Sequence, residues 1–267
     1  MIVAGVDIGS LTTKAVILKD GKILCWNIML TGADSAESAE KVMDETLSKA
    51  GLLLGSIEYI VSTGYGRLLV PFANRNITEI SCHAKGINSL FSLARTILDM
   101  GGQDCKAIRC DEGGKVTNFA MNDKCAAGAG RSMEVMARLL EVPLEDMGER
   151  SLQTVERPST ISTTCVVFAK SEVISLLHSG VHKNDIIAGL CDALSHRVLA
   201  LLKRVGVEKE FAIAGGIAKN IGVVQRLEEK LGLRAHIAFE PQIVGALGAA
   251  LFAKELLEKS IKCGVDN

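Results

Sequence analysis

The chain has 267 residues, a formal net charge of −1, 23% charged residues and 4% aromatic residues. This length suits two modest domains, or one domain split by a cleft. The balanced charge and the scarcity of aromatic side chains predict no nucleic-acid partner and no attraction to an anionic membrane. The first residues lack the pattern of a signal peptide, and no apolar run approaches the ~18 residues of a membrane span, so we expect a cytoplasmic protein.

The pattern of apolar residues predicts an α/β order that occurs twice. In the first half we expect strands at 2–8, 14–19 and 22–30, with a hairpin turn at Asp20-Gly21, then a helix at 35–50 and a strand at 57–62. In the second half we expect strands at 95–100, 104–110 and 115–121, helices at 132–141 and 184–205, a strand at 210–214 and a helix at 244–259. The repeated order indicates an internal duplication, and the two halves of such a pair usually enclose a ligand.

Three glycine-containing turns follow predicted strands. They are Asp7-Ile8-Gly9-Ser10-Leu11-Thr12-Thr13-Lys14, Asp99-Met100-Gly101-Gly102-Gln103-Asp104 and Ala214-Gly215-Gly216-Ile217-Ala218-Lys219-Asn220. Glycines let backbone N–H groups approach phosphate oxygens, hydroxyls add donors, and a carboxylate at a strand end can hold hydrated Mg²⁺. There is no Walker A sequence, and Gly128-Ala129-Gly130 lacks the later glycine of a Rossmann fingerprint. One such turn alone is typical of an ordinary tight connection, whereas three in this order predict a polyphosphate site.

The order of these turns resembles the superfamily of actin, the sugar kinases and the heat-shock chaperone ATPases. The resemblance implies a two-lobed, duplicated ribonuclease-H-like fold with a nucleotide cleft, the lobes spanning 1–95 with 244–267, and 96–243. Asp7 and Asp99 would hold Mg²⁺ through water, and Gln103 would orient the attacking water. The implied contacts with ATP or ADP are Gly9, Ser10, Leu11, Thr12, Thr13, Lys14, Gly101, Gly102, Gln103, Gly128, Ala129, Gly130, Arg131, Gly215, Gly216 and Gln242.

Two of the eight cysteines occur in matched contexts. The eight are Cys25, Cys82, Cys105, Cys110, Cys125, Cys165, Cys191 and Cys263. Cys125 and Cys165 each precede a predicted helix, whose N-terminus stabilises a thiolate. Burial is the better interpretation of a lone cysteine, but two thiolates from each chain of a symmetric dimer would complete a shared [4Fe–4S] cluster. For the neighbouring pair Cys82-His83 we expect burial, and the remaining cysteines are predicted to be structural.

Seven strings along the chain resemble one family. VDIGSLTTKAVIL, STGYGR, EISCHAKG, DMGGQD, MNDKCAAGAGR, STTCVVFAKSEVISLL and AIAGGIAKN resemble the activators of 2-hydroxyacyl-CoA dehydratases and benzoyl-CoA reductases. In that family, cysteines matching Cys125 and Cys165 bind a [4Fe–4S] cluster at a homodimer interface. The resemblance implies ATP-driven electron transfer from ferredoxin or flavodoxin to a separate iron–sulfur acyl-CoA dehydratase or reductase. Ala129, in place of an expected Ser or Thr, and Lys170 depart from the family pattern.

Two other functions remain open from the residues. A small-molecule kinase of the sugar or acetate kinase type would explain the three turns, but it would leave the cysteine pair without a role. A nucleotide sensor without catalysis would treat both cysteines as core residues. Anaerobic purification separates these hypotheses, because only the electron carrier would be brown.

Overall fold

The computed structural model describes residues 1–122, 130–161, 166–262 and 264. The chain divides into two compact units. The first comprises residues 1–93, 110–117 and 238–267, and the second comprises residues 94–109 and 118–237. Each unit is built on a mixed sheet, so the α/β class predicted from the sequence is confirmed.

Two five-stranded sheets of the same topology run through the described residues, in the orders β3-β2-β1-β4-β5 and β8-β7-β6-β9-β10. The strands are β1 (Ile2–Ile8), β2 (Thr12–Lys19), β3 (Lys22–Leu30), β4 (Tyr59–Gly64), β5 (Arg75–Asn76), β6 (Thr96–Met100), β7 (Cys105–Cys110), β8 (Val116–Met121), β9 (Phe211–Ala214) and β10 (Ala235–Ile237). Strand β1 is antiparallel to β2 and parallel to β4. In the same way, β6 is antiparallel to β7 and parallel to β9. The matching orders confirm the predicted duplication.

Eight helices complete the described part of the fold. They are α1 (Ser35–Ala50), α2 (Glu79–Leu90), α3 (Gly130–Leu140), α4 (Met147–Arg150), α5 (Val166–His178), α6 (Lys183–Val205), α7 (Ile221–Leu231) and α8 (Val244–Lys262). The predicted helices match α1, α3, α6 and α8 to within a few residues, and the helix predicted directly after Cys165 is α5. Sequence analysis missed α2 and α7, although Thr78 and Asn220 cap them by accepting hydrogen bonds from backbone N–H groups, as helix-starting residues do.

In the first unit, α8 packs against β1, β4 and α2. The small residues at the start of α8 allow this, since a Cβ on Gly248 would lie 1.8 Å from the carbonyl oxygen of Cys82 on α2. On the opposite face of the sheet, α1 contributes Val42, Met43 and Leu47 to a core with Val6 and Ile17. The ends of β1 and β4 are therefore held between two packed layers.

In the second unit, the central element is α6. Its apolar stripe, which includes Leu194, Val198 and Leu202, is buried in a core shared with Phe211 of β9 and Met136 of α3. The helix itself is the one that the sequence predicts at 184–205. No helix within the described residues is long and apolar enough to cross a membrane.

Candidate nucleotide site

The first predicted turn lies at the end of β1. The Gly9 N–H donates to the carbonyl oxygen of Thr12 at 3.0 Å. Thr31 braces this turn, because its hydroxyl donates to the Gly9 carbonyl oxygen at 2.8 Å and its N–H donates to the Leu11 carbonyl oxygen at 2.9 Å. Sequence analysis missed Thr31, which follows β3 with no local motif of its own.

The hydroxyls of this turn are not equivalent. The side chain of Thr13 is buried, and its hydroxyl lies 2.9 Å from that of Thr31. Ser10 and Thr12, in contrast, are partly exposed. Of the predicted phosphate contacts, Ser10 and Thr12 thus keep solvent access, whereas the Thr13 hydroxyl is already engaged within the fold.

A buried ion pair stands at the end of β1. Asp7 is 4% exposed, and its Oδ2 lies 3.2 Å from Nζ of Lys14, its partner across the strand pair. Gly64 at the end of β4 packs against the same carboxylate, since a Cβ there would lie 2.3 Å from Asp7 Oδ1. Gly64 also has a φ of 87°, which favours glycine. Strand register thus brings together residues that are far apart in sequence.

The second unit repeats this arrangement. Asp99, also 4% exposed, lies 3.6 Å from Nζ of Lys106, again its partner across the strand pair. Lys106 also contacts Asp104 at 2.7 Å. A Cβ on Gly215, whose φ is 83°, would lie 2.7 Å from Asp99 Oδ1. Lys106 was missed from the sequence, although its spacing from Asp99 equals that of Lys14 from Asp7.

The second turn is hydrogen-bonded to the first turn of α3. The Gly130 N–H donates to the Gly101 carbonyl oxygen at 3.0 Å, and the Arg131 N–H donates to the Gly102 carbonyl oxygen at 2.8 Å. These hydrogen bonds bring together four residues that are predicted to contact the nucleotide: Gly101, Gly102, Gly130 and Arg131. Gln103, the predicted water-orienting residue, is exposed in the same turn.

The third turn continues into a short 3₁₀ helix, Gly216–Lys219. Gly215 therefore lies between the Asp99 carboxylate and this helix, while Gly216 begins the helix. Gln242 belongs to the first unit, in the 3₁₀ helix Pro241–Ile243 directly ahead of α8, where it is half-buried. Gly128 and Ala129 are outside the described residues.

The donor set at the two strand ends fits hydrated Mg²⁺. Each strand end offers a carboxylate, which lies beside a glycine backbone and a lysine. Carboxylate oxygens are ligands that Mg²⁺ uses, and the ion usually keeps several waters when it is shared with phosphates. The lysines offset the charge of the carboxylates when no cation is bound.

The described cysteines do not offer a cluster site. Burial raises the pKa of the Cys82 thiol to about 12 and that of Cys191 to about 11, and it also raises the pKa of Cys105. These groups are therefore protonated thiols at neutral pH, whereas metals bind the thiolate. Within the described ranges no group of three or more His, Cys, Asp and Glu side chains could hold a metal ion. Cys125 and Cys165 are outside the described residues.

Each unit has an aspartate and a glycine-containing turn at the end of its first strand. This duplicated arrangement defines the actin-like ATPase and sugar kinase class of folds. The hexokinase of the ROK family from Thermus thermophilus shares this fold with a TM-score of 0.53 at 15% identity, over 97% of this chain and 100% of that one. The fold class predicted from the sequence is therefore confirmed.

The chain belongs to the BadF/BadG/BcrA/BcrD ATPase family, whose pattern matches residues 4–253, and it is an ATPase. It is 48% identical to the activator of lactoyl-CoA dehydratase from Anaerotignum propionicum, over 97% of this chain and 100% of that protein. It is 43% identical to the (R)-2-hydroxyglutaryl-CoA dehydratase activating ATPase of Acidaminococcus fermentans, over 93% and 95% of the two chains. The 2-hydroxyisocaproyl-CoA dehydratase activator from Clostridium difficile, solved with bound ADPNP, superposes with a TM-score of 0.94 at 40% identity, covering 100% and 99%.

Proposed function

We propose that this ATPase activates a separate iron–sulfur acyl-CoA dehydratase or reductase by delivering a low-potential electron to it at the expense of ATP. Two relatives support the partner class, since they are activators of acyl-CoA dehydratases. The [4Fe–4S] cluster would supply the one-electron chemistry. Ferredoxin or flavodoxin is the proposed donor.

We assign the nucleotide chemistry to the two pseudo-equivalent turns. Asp7 and Asp99 hold Mg²⁺ through water, and the N–H groups of the first two turns bind the phosphates. Gln103, which is exposed at the second turn, orients the attacking water. Gly215, Gly216 and Gln242 contribute to the nucleoside side of the site.

The observation that carries the proposed coupling is the pair of hydrogen bonds between the second turn and α3. The carbonyl oxygens of Gly101 and Gly102 accept from the first two N–H groups of the helix that follows Cys125 in sequence. A shift of this turn between its ATP-bound and ADP-bound states therefore moves the start of α3 with it. Such a shift requires that the two nucleotides differ in affinity for the two conformations.

Cys125 and Cys165 are the proposed cluster ligands, each contributed by both chains of a homodimer. Cys82 and Cys191 are unsuited to the role, because burial raises the pKa of their thiols to about 12 and about 11. In sequence, Cys165 directly precedes α5. A helix N-terminus favours the thiolate form that binds iron.

Replacement of the two cysteines tests this assignment. After anaerobic purification, we expect Cys125→Ser or Cys165→Ser to remove the bound iron and the brown absorbance, since each change takes two of the four ligands from a shared cluster. Cys25→Ser is the matched control, because Cys25 is a partly exposed free cysteine of the first unit. Iron retained in either variant, or lost in the control, would contradict the assignment.

Phosphoryl transfer is the competing activity, and the same preparation tests it. A small-molecule kinase consumes ATP only with its acceptor and does not need iron. We expect ATP hydrolysis without any added sugar or carboxylic acid. Stimulation of ATP consumption by such an acceptor, with formation of its phosphate ester in iron-free protein, would favour the kinase.

A further inference from the structure

A cleft of about 430 Å³ lies in the first unit, between α8 and the chain that runs from β5 into α2. This volume is within the range of about 300–1,000 Å³ that is usual for small-molecule sites. The described residues that line the cleft all come from outside the three glycine-containing turns. The cleft is therefore distinct from the proposed nucleotide site.

Part of the lining is apolar. Ile77, Phe252 and Leu256 contribute to it, and each is partly buried against the core that α8 shares with β1 and β2. Apolar side chains that still face a cleft can bind the apolar body of a ligand, because contact removes both surfaces from water.

The charged part of the lining has an excess of cations. Glu255 is already paired, since its Oε1 lies 2.5 Å from Nζ of Lys85. The cations in the lining are Arg67, Arg75 and Lys259. Arg67 donates to a backbone carbonyl oxygen at 3.1 Å, and within the described residues none of the three cations has a carboxylate partner. The cleft thus offers three positive charges to an anion.

Neutral donors complete the lining. The hydroxyl oxygens of Thr78 and Ser81 lie 2.9 Å apart, so one hydroxyl proton lies between them and the other is left for a ligand. The amide of Asn76, on the exposed strand β5, adds two N–H donors. Donors and cations together favour a ligand with several acceptor oxygens.

We propose that this cleft binds a phosphate monoester with an apolar body. The phosphate group carries about −1.5 to −2 charges at neutral pH and three acceptor oxygens, which suit the three cations and the neutral donors. Arginine binds phosphate through two parallel hydrogen bonds. A carboxylate has one charge and two oxygens and would leave more of the lining unused. The inference goes beyond the proposed function and does not depend on it.

Titration calorimetry with phenyl phosphate, in buffer free of phosphate, tests the cleft. The purified protein is first saturated with Mg²⁺ and a non-hydrolysable ATP analogue, so that the probe cannot occupy the nucleotide site. We expect one phenyl phosphate to bind per chain. It should bind more tightly than inorganic phosphate, which has no apolar body, and more tightly than benzoate, which has the ring but only a carboxylate.

Two variants locate the bound probe. Lys259→Glu and Arg75→Gln each remove a cation at an exposed position, so we expect thermal unfolding to change little. Each should weaken phenyl phosphate binding by about 5-fold, which is the size of one exposed charged contact. Lys22→Glu is the matched control, since it makes the same charge reversal at an exposed position of the first unit outside the cleft.

Three results would overturn the inference. One is the absence of phenyl phosphate binding to the wild-type protein. Another is wild-type affinity in both Lys259→Glu and Arg75→Gln, or an equal loss in Lys22→Glu, which would mean that the probe binds elsewhere or responds only to net charge. The third is benzoate binding as tightly as phenyl phosphate. Failure of the ATP analogue to bind would instead reject the nucleotide site, and the same variants would still report on the cleft.

Discussion

At the scale of single residues, the two units carry the same ion pair at the same place. Asp7 and Asp99 are both 4% exposed, and each pairs with the lysine directly across the sheet. Burying such a pair costs desolvation energy, so its repetition is not explained by stability alone. The proposed role in binding a metal and phosphates would account for both copies.

Removing either carboxylate charge is the first test at this scale. We expect Asp7→Asn and Asp99→Asn each to lower magnesium-dependent ATP hydrolysis by about 100-fold, because an amide holds the waters of Mg²⁺ poorly and no longer offsets the charge of the facing lysine. The measurement is steady-state phosphate release. Asp34→Asn is the matched control, since it makes the same change at the exposed cap of α1, where asparagine caps equally well. Unchanged hydrolysis in both variants would refute the metal assignment.

At the scale of elements, the link between the second turn and α3 has the largest consequence. Two backbone hydrogen bonds join a proposed phosphate turn to a helix start, and rigid elements transmit such shifts over their whole length. The helix itself is well anchored, because Met133, Met136 and Leu140 lie in the core of the second unit. A movement of the turn therefore acts on one well-anchored helix, α3.

Proline replacement can remove one of the two hydrogen bonds of this link while sparing the helix. Arg131→Pro removes the N–H that donates to Gly102, and proline is tolerated in the first turn of a helix. Iron loss to a chelator is measured with ADP and again with a non-hydrolysable ATP analogue. We expect the difference between these two measurements to shrink several-fold in Arg131→Pro. Arg131→Ala keeps the N–H and lacks only the side chain, so it should retain the difference. Identical behaviour of the two variants would show that the hydrogen bond does not carry the coupling.

At the scale of the whole molecule, the proposed cluster requires two chains. Two cysteines per chain supply half of the four thiolates that a cubane usually takes, so we expect one cluster, or four irons, per homodimer. Size-exclusion chromatography combined with iron analysis measures this ratio, and the iron-free Cys125→Ser variant shows whether the dimer persists without metal. Four irons in a monomeric fraction would contradict the shared site.

The sequence by itself determined the duplicated α/β order, most element bounds and the places of the acid and glycine turns. These features are local: apolar periodicity, hairpin residues and small residues at strand ends act within a few positions of the chain. For the same reason the three turns in their order were enough to predict a polyphosphate site, and the resemblance of the seven strings implied an ATPase. The assignment of individual nucleotide contacts and of the cluster cysteines stays a prediction.

Only the tertiary structure decided which distant residues meet. Gly64 packs on Asp7 because β4 lies parallel to β1, and Lys106 faces Asp99 because β7 pairs with β6 in one register. His83 approaches Asp7 only because glycines let α2 and α8 cross closely. Such contacts depend on strand register and helix packing between segments far apart in the chain, and no local pattern encodes them.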